Sequence, residues 1–352
     1  MTEPDQVPLV AATPLGDDEV AAYRALHTDA VWWNSGIHWS SFRGDKAADA
    51  LNGLVTNDVA ALAPGEGQHA AALSPKGKLI TDMLIVRLDE TSLLIATMPG
   101  AAAAWMDLAR KYVNPRLCKV ADETDRYQSW MVYGAQAPSA IAAIGGSSAL
   151  DDAARDGMID ALTTWPTWRH GMWSLGPVCV RLIRAPIMDT VPGFMIVADV
   201  ANAPSVQRRL ADAPFLQGSG AVWNVARIEA GRPVIGVDMD ENTIPQEANL
   251  DTLEAISFTK GCYTGQETVA RIHFRGHVNR HLRGLIGDAP LAAGASVCDA
   301  NDKVVGDVRS TAISPSRGPI AMAMVRREVE TGATVSVGGV QARVVELPFP
   351  AL

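Results

Sequence analysis

The spacing of hydrophobic residues along this 352-residue chain switches between the period of strands and that of helices, and the order of these switches limits the folds it can adopt. Residues 68–98 alternate apolar and polar positions as strands do, and Pro99 then opens an Ala-rich helix to about residue 113. The same order of strands and then a helix recurs over residues 172–213. From about residue 280 the helical period is lost, and short Val-rich stretches alternate with turn residues. The pattern predicts an α+β body of two related halves, followed by an all-β sandwich or barrel.

Local signals predict further elements around this body. A helix is expected over residues 17–27, a short strand over residues 37–42 and a second helix over residues 45–59. Residues 1–18 contain three prolines and no apolar period, which predicts a flexible tail. Residues 137–165 are rich in Ala, Gly, Ser and Asp and predict a helix plus a loop.

Composition and charge narrow the class of protein. The 30 basic and 39 acidic residues leave a net charge of −9, so the chain lacks the cationic surface that nucleic acids and anionic membranes attract. The longest near-apolar run, residues 93–106, is broken by Pro99 and is shorter than the roughly 20 residues of a membrane span. We therefore expect no nucleic-acid partner and no membrane partner.

The cysteines and the N-terminal residues bear on the compartment. The four cysteines are scattered without a CxxC pair, which indicates neither a disulfide framework nor a zinc site. Free thiols fit a reducing compartment. The acidic residues ahead of Arg24 fit neither a secretory signal nor an Arg-rich presequence. These features predict a cytoplasmic protein without a resident metal.

An aspartate interrupts an apolar row in the strand predicted over residues 79–88. Alternation places Asp82 on the same strand face as Ile80, Leu84, Val86 and Leu88. An unpaired carboxylate in such a row is costly or shifts its pKa, so Asp82 must have a partner. Two interpretations follow: a strand-end aspartate that caps a neighbouring turn, or a carboxylate that lines a ligand cavity.

A glutamate occupies a similar position on a helix. Residues 220–231 predict a helix that Gly231 closes, and Glu229 falls on its apolar face with Val222, Val225 and Ala226. In the last turn the helix dipole disfavours negative charge by roughly 0.3–1 kcal/mol. Glu229 is therefore either half of a buried ion pair, with Arg227 or Arg232, or a carboxylate that binds a ligand.

Residues 260–267 read KGCYTGQE and carry the third candidate group. Two glycines bracket Cys262 and Lys260 precedes it by two positions, so the loop brings a thiol close to a ligand beside a charge that favours the thiolate. A lone cysteine is otherwise a small buried hydrophobe. We expect Cys262 to be the most reactive thiol, and Cys179, in an apolar strand, to be buried.

A basic tract follows this loop. Its three histidines are spaced by four, which on a helix would form one stripe and suggest a metal site. Gly276 interrupts the tract, and its alternating apolar residues instead predict an extended chain and no metal site. The tract is therefore expected to form a positive patch for an anionic ligand tail, or a solvated strand surface. Its members are Arg271, His273, Arg275, His277, Arg280, His281 and Arg283.

Together these segments resemble a known family. The KGCYTGQE string matches the KGCYxGQE motif of the YgfZ-type folate-binding proteins of iron–sulfur cluster maturation. Further matches are RIEAG at residues 227–231, PQEANL at 245–250, TNDV at 56–59 and MVRR at 324–327, so the resemblance spans about residues 30–349. That family is related to the T-protein of the glycine cleavage system, a tetrahydrofolate-dependent aminomethyltransferase.

The resemblance implies an architecture. It gives an α+β fold of three domains in a ring around a central folate channel, as in the T-protein. The implied division is a flexible tail over residues 1–18, two interleaved α+β folate-binding domains over residues 19–275 and a C-terminal β-barrel over residues 276–352. The strand of Asp82, the helix of Glu229 and the loop of Cys262 are then expected to line one cavity.

The resemblance also implies roles for individual residues, with tetrahydrofolate or a folate derivative as cofactor. Glu229 matches the T-protein glutamate that holds the pterin. Asp82 matches the second residue of the T-protein Asp-Asp pair and would face the reactive end of the folate, while Thr81 replaces the first. Cys262 would carry thiol chemistry, which makes Cys262 and Asp82 the implied catalytic residues. Further implied folate contacts are Lys260, Arg227, Arg271 and Tyr263.

The function implied is that of a tetrahydrofolate-binding, YgfZ-type protein that supports the assembly or repair of iron–sulfur enzymes. Its partners would be folate and iron–sulfur apoproteins or assembly factors. One alternative is a folate-dependent one-carbon transferase, either an aminomethyltransferase or a demethylase. Another is a non-catalytic, folate-regulated adaptor. The T-protein has no functional cysteine at the position of Cys262, which argues against ordinary aminomethyl transfer in glycine cleavage.

Overall fold

The structure is a computed structural model that describes residues 12–145, 152–185 and 191–350. Residues 1–11 of the predicted flexible tail lie outside the described residues, as do residues 146–151 of the predicted helix-plus-loop segment. Where the description begins, Pro14 forms a parallel bridge with Ile313 and the first helix starts at Asp17.

The described elements fall into an N-terminal body and a C-terminal barrel. The helices are α1 (Asp17–Thr28), α2 (Ala47–Asn52), α3 (Pro99–Tyr112), α4 (Ala137–Gly145), α5 (Asp152–Thr164), α6 (Ala203–Ala211), α7 (Gly220–Glu229) and α8 (Gln266–Arg275). The strands of the body are β1 (Val31–Asn34), β2 (His38–Arg43), β3 (Gly67–Leu73), β4 (Leu79–Asp89), β5 (Ser92–Thr97), β6 (Lys119–Asp122), β7 (Tyr127–Tyr133), β8 (His170–Leu175), β9 (Val178–Arg184), β10 (Gly193–Asp199) and β11 (Leu216–Gln217). Those of the barrel are β12 (Arg280–Gly287), β13 (Ser296–Cys298), β14 (Val304–Ser314), β15 (Gly318–Arg326), β16 (Thr334–Val337) and β17 (Val340–Val345).

The first sheet is antiparallel, with the strand order β3-β4-β5-β2-β6. One face carries Ala70, Ala72 and Met83, which pack with Trp105 of α3 and with α2. Because side chains alternate along a strand, the other face carries His69, Ala71 and Asp82. This second face is the one that looks into the body of the protein.

The second sheet has the order β11-β1-β7-β10-β9-β8. One face is apolar and packs under α4, α5 and α6. The opposite face carries Trp33 and Met131, which share one hydrophobic core with α1, α7 and Leu84 of the first sheet. The two sheets therefore face each other across the body.

The two halves of the body are interleaved in the chain. Strand β1 pairs with β7 and β11 of the second sheet, although the whole of the first sheet lies between β1 and β7 in sequence. The mixed α+β body is confirmed, whereas the relation between its two halves stays a prediction. The residue bounds of the individual domains stay predictions.

The C-terminal strands form a closed barrel, which decides between the predicted sandwich and barrel. The order is β12-β15-β14-β13-β16-β17, and β17 pairs back with β12 through four residue pairs from Gly284 to Gly287. Inward-facing aliphatic side chains such as Leu285, Val297 and Val344 fill its interior. Closure leaves no free strand edge in the barrel.

Two predictions about local structure are wrong. Arg271, His273 and Arg275 lie on helix α8, not on extended chain, and Gly276 ends that helix. The helix predicted over residues 45–59 extends only from Ala47 to Asn52. From Gly53 the chain leaves the helical path. The carbonyl groups of Asn52, Val55 and Asn57 then bind the buried ammonium of Lys260.

Within the described residues, no helix combines the length and the apolar character needed to cross a membrane.

A buried ion pair joins helix α7 to the barrel. Arg227 donates from Nη1 to Asp238 Oδ2 at 2.8 Å and from Nη2 to Ser310 Oγ of β14 at 2.7 Å. Ser310 in turn donates to the other carboxylate oxygen of Asp238, and the backbone N–H of Val234 donates to Asp238 Oδ2 at 2.9 Å. The side chains of Arg227 and Asp238 are 2% and 0% exposed. A charge this deeply buried is tolerated only with its partner in place.

Asp238→Asn is expected to lower the free energy of unfolding by about 3–5 kcal/mol, because the guanidinium of Arg227 would remain buried without a counter-charge. Chemical denaturation of the intact chain measures this. Asp49→Asn is the control: it removes the exposed pair of Lys46 and Asp49, which is worth about 0–1 kcal/mol. Equal losses in the two variants would contradict a structural role for the buried pair.

Candidate functional site

A cavity of about 950 Å³ lies between the two sheets. The first sheet contributes His69 and Asp82 to its lining, and the second sheet contributes Trp33. Trp223 of α7 and Glu19 of α1 close further sides. Three methionines also line it, which gives the wall adaptable, polarisable surface: Met98, Met131 and Met195.

Asp82 has a partner, as the sequence argument required. Its Oδ2 lies 2.9 Å from Nε2 of His69, and the two side chains are 19% and 14% exposed. Strand register explains the meeting: Asp82 lies opposite Ala71 and Leu84 lies opposite His69, so the pair is diagonal across β3 and β4. Nδ1 of His69 is buried without a hydrogen-bond partner. Asp82 is therefore a cavity-lining carboxylate and not a cap of a turn.

Aromatic rings form the opposite wall of the cavity. The ring centroid of Trp33 lies 5.4 Å from that of Tyr133, with the planes 21° apart, and 5.3 Å from that of Trp223. Trp168 approaches His69, with centroids 6.5 Å apart. A planar ring system between this wall and Asp82 would find stacking surface on one side and hydrogen-bond acceptors on the other.

Charged side chains line the cavity near helices α1 and α7. Glu19 accepts a hydrogen bond from the hydroxyl of Ser219 at 2.6 Å, and Ser219 is also the N-cap of α7. Arg227 and Arg232 line the cavity near the other end of α7. The charge of Arg227 is balanced by Asp238, so Arg227 positions this corner more than it attracts an anion.

Glu229 lies outside the cavity lining. Its carboxylate accepts hydrogen bonds from Tyr23 of α1 at 2.9 Å and from Ser314 of the barrel. Burial raises the pKa of Tyr23, and the nearby negative charge of Glu229 adds to that shift. The predicted ion pair with Arg227 is not formed, because Arg227 pairs with Asp238; the arginine that pairs with Glu229 is Arg317, whose Nε lies 4.0 Å from Glu229 Oε1. In this structure Glu229 joins two helices to the barrel, and its contact with a pterin stays a prediction.

The KGCYTGQE loop is held by a buried cation. The ammonium of Lys260 donates to the carbonyl oxygens of Asn52 at 2.6 Å, Val55 at 2.9 Å and Asn57 at 2.8 Å. Burial lowers the pKa of this lysine to about 8. All three ammonium donors have acceptors, so Lys260 anchors the loop on the segment after α2 instead of facing the cavity.

The rest of the loop is arranged around that anchor. Tyr263 is buried, which raises its pKa to about 12, and the Lys260 ammonium lies 5.1 Å from its ring centroid. Gly265 has φ of 85°, and a Cβ there would lie 2.6 Å from the carbonyl oxygen of Ser74, so only glycine fits. Cys262, between the anchored residues, is exposed.

Of the site residues predicted from the sequence, Asp82 and Arg227 line the cavity, whereas Glu229, Lys260, Cys262, Tyr263 and Arg271 lie outside its lining. The prediction that Asp82, Glu229 and Cys262 share one cavity is therefore wrong. The physical reason is that the loop of Cys262 is tied down by Lys260 beyond the edge of β3, where Tyr263 packs on Leu73 and Leu79.

The cysteines divide differently from the prediction. Cys179 is exposed on β9, because its two valine neighbours take the buried face of the strand. The buried thiol is Cys118, and burial raises its pKa. Within the described residues no cluster of three or more His, Cys, Asp and Glu side chains is placed to hold a metal ion.

His69, Trp33 and Trp223 are site residues that the sequence analysis missed. His69 lies two positions before Ala71, so alternation puts both on one face of β3, but only the register of β3 against β4 puts Asp82 on that face. No local signal marks the tryptophans, because they meet only when β1 of the second sheet packs against α7.

Comparison with known proteins agrees with this fold. Residues 27–260 match the family model described as the GCVT N-terminal domain, and residues 280–350 match that of the glycine cleavage T-protein C-terminal barrel domain. The crystal structure of the glycine cleavage system aminomethyltransferase T from Bartonella henselae superposes with a TM-score of 0.82 at 21% identity, covering 96% of this chain and 91% of that chain. The fold is thus that of the T-protein class.

Two curated relatives are named tRNA-modifying protein YgfZ. That of Enterobacter sp. (strain 638) is 32% identical over 253 residues, 71% of this chain and 69% of the relative. That of Yersinia enterocolitica is 29% identical over 244 residues, 69% of this chain and 66% of the relative. The matches thus span about two thirds of each relative. This chain belongs to the YgfZ family within the T-protein class.

Lys260→Met is expected to remove a pH-dependent part of the stability. The pKa of Lys260 in the folded chain is about 8, below the ordinary 10.5. Between these pH values the unfolded chain binds more protons at this residue, so the wild-type free energy of unfolding gains a rising contribution with pH. Denaturation curves from below pH 8 to above pH 10.5 should show this rise in the wild type and its loss in Lys260→Met.

Lys303→Met, at an exposed barrel residue, is the control and should keep the wild-type pH profile. Identical profiles for wild type and Lys260→Met would show that the ammonium is not desolvated in the folded chain.

Proposed function

We propose that this chain binds tetrahydrofolate or a close folate derivative in the cavity between the two sheets and supports the assembly or repair of iron–sulfur enzymes. The observation that carries the proposal is the juxtaposition of the His69–Asp82 pair with the Trp33–Trp223 wall in one cavity. Membership of the YgfZ family supports the choice of folate over other planar ligands.

The residues present fit a folate. A volume of about 950 Å³ is within the range of roughly 300–1,000 Å³ that small-molecule sites occupy. A pterin offers a flat ring for the tryptophan wall and ring N–H and amino donors for a carboxylate acceptor. Asp82 is ionisable, lines the cavity and is held by His69, so it supplies such an acceptor in a fixed position.

The proposed roles follow from these positions. Asp82 accepts hydrogen bonds from the folate, His69 donates through Nε2 and fixes the carboxylate, and Trp33 and Trp223 exclude water from the ring. When bound, a reduced folate supplies a carrier for a one-carbon unit. Cys262 is exposed and outside the cavity lining, which supports a role of its thiol towards a macromolecular client more than towards the folate itself.

The relatives' name concerns tRNA modification. For this chain we propose an indirect role in tRNA modification. An iron–sulfur client enzyme acts on tRNA, and this protein supports that enzyme. The net charge of −9 favours such an indirect role, because direct binding of RNA rests on cationic surface.

Asp82→Asn is expected to weaken the binding of 5-formyltetrahydrofolate by about 1–3 kcal/mol, the usual effect of losing hydrogen bonds to a charged group. Titration calorimetry of the intact chain measures the affinity. Asp49→Asn, the same change at an exposed residue of α2, is the matched control and should bind folate as the wild type does.

Glu229→Gln tests the pterin contact that the family resemblance implies: a loss as large as in Asp82→Asn would support that contact, and wild-type affinity would contradict it. Absence of folate binding by the wild type would overturn the proposal as a whole.

In cells that lack this protein, iron–sulfur enzyme activities should fall, and expression of Cys262→Ser should not restore them although that variant still binds folate. Restoration by Cys262→Ser but not by Asp82→Asn would favour the one-carbon transferase. Restoration by both variants would favour the non-catalytic adaptor. Restoration by wild type alone supports a need for both the thiol of Cys262 and the folate contact of Asp82.

A further inference from the structure

Trp168, in the segment between α5 and β8, has a backbone conformation that suits glycine. Its φ is 62°, in the left-handed region, where a bulky side chain is a rare outlier. The N–H of Arg169 donates to the carbonyl oxygen of Pro166 at 3.0 Å, which closes a turn with Trp168 at its third position. A turn with positive φ at that position alone is a type II turn, which favours glycine or asparagine there.

The same residue opens a β-bulge. The N–H of Trp168 donates to the carbonyl oxygen of Arg184 at 2.9 Å, and the N–H of Arg184 donates to that of Arg169 at 2.8 Å. Two residues thus oppose one residue of β9, and the first residue of such a left-handed bulge is normally glycine. Because the turn and the bulge both favour glycine, the tryptophan is kept there for its side chain.

The surroundings of the bulge hold it against the first sheet. The N–H of His170 donates to the carbonyl oxygen of Gly65 at 2.9 Å, and its Nε2 donates to that of Arg87 at 3.0 Å. Arg181 donates to Nδ1 of His170 at 2.8 Å, which leaves the imidazole proton on Nε2. Burial lowers the pKa of His170 to about 4, so this clamp is intact at neutral pH. A strained residue persists only where its neighbours fix it in this way.

The side chain of Trp168 lines the cavity beside the His69–Asp82 pair. Its ring centroid lies 6.5 Å from that of His69, whose Nε2 is 2.9 Å from Asp82. Thr167 and Arg169 are exposed, whereas Trp168 is half-buried, so the indole lies where the Asp82 end of the cavity meets solvent. The indole also packs on the core shared by the two sheets, and a test must separate this packing from a ligand contact.

We propose that Trp168 is a ligand-binding residue whose indole closes the Asp82 end of the cavity over the ring of the ligand. An aromatic side chain at that position supplies a stacking surface and keeps water from the hydrogen bonds that Asp82 accepts. The left-handed backbone is then a cost in stability that the chain bears for binding. The inference rests on the proposed function only in identifying the ligand ring as the pterin of a folate.

Titration calorimetry of the intact chain with 5-formyltetrahydrofolate tests the contact. Trp168→Gly should weaken binding about tenfold, the usual effect of losing a stacked aromatic contact. Trp168→Phe, which keeps a ring, should bind nearly as the wild type does, whereas Trp168→Leu, which keeps apolar volume without a ring, should resemble Trp168→Gly. Trp165→Gly is the matched control at a tryptophan of the same segment outside the cavity lining, and it should keep the wild-type affinity.

Chemical denaturation tests the backbone independently of any ligand. Trp168→Gly should be more stable than Trp168→Ala, because both lack the ring and glycine adopts the left-handed conformation without strain. At Trp165, whose φ is not positive, the order should be the opposite, with the alanine variant more stable than the glycine variant.

Wild-type affinity in Trp168→Gly would overturn the ligand contact and make the indole a packing residue. An equal loss of affinity in Trp165→Gly would overturn it too, since loosening of the segment would then suffice. Greater stability of Trp168→Ala than of Trp168→Gly would contradict the left-handed backbone on which the inference depends. Should Trp168→Gly fail to fold, equal affinities in Trp168→Phe and Trp168→Leu would overturn the contact.

The two proposals fail in different ways. Folate binding that does not depend on the ring at position 168 would overturn this inference and leave the proposed function standing. A wild type that binds no folate would overturn the proposed function, and the pterin contact of Trp168 with it.

Discussion

The pairing of Arg227 with Asp238 is the interaction on which the assembly of this chain depends. Helix α7 contributes the guanidinium, the following loop contributes the carboxylate, and the barrel contributes Ser310 as the third member. A buried charge has no acceptable alternative partner, so the barrel, the loop and the helix can meet in one arrangement only. The same arrangement sets Trp223, one turn earlier on α7, against the cavity.

The structure separates two chemistries that the sequence suggested were one. The ligand cavity lies inside the body, between two sheets, and its polar pair, Asp82 and His69, faces inward. The thiol of Cys262 faces outward on a loop whose position is fixed by Lys260. Under the proposed function, a small ligand inside and a protein client outside would act on one molecule without competing for the same space.

What the sequence could predict follows from how local each signal is. The strands up to Thr97 and helix α7, which ends at Glu229, could be predicted because strand alternation and the helical period are patterns among residues close together in the sequence. Strand β7 was missed because it is central and buried on both faces, so its residues do not alternate. Helix α8 was misread because its apolar residues Ile272 and Phe274 alternate as in a strand; Phe274 is in fact 66% exposed, and Gly276 ends the helix.

The site shows the same limit. Burial of Asp82 in an apolar row required a partner, and the partner was found, but its identity depends on the register of β3 against β4. The loop of Cys262 was expected at the cavity because its motif is tied to the folate-binding fold. Its actual position depends on carbonyl groups some two hundred residues earlier in the chain, which no local pattern reveals.

The interleaving of the two sheets also has a consequence for synthesis and folding. The first sheet uses only residues from His38 to Asp122, so it can close as soon as that stretch is made. The second sheet opens with Val31 but is completed only when Leu216 pairs with it. The edge of β1 that pairs with β11 therefore stays unpaired while most of the body emerges from the ribosome. High contact order of this kind slows folding and exposes strand edges, so the nascent chain is most vulnerable to misassociation before residue 217 appears.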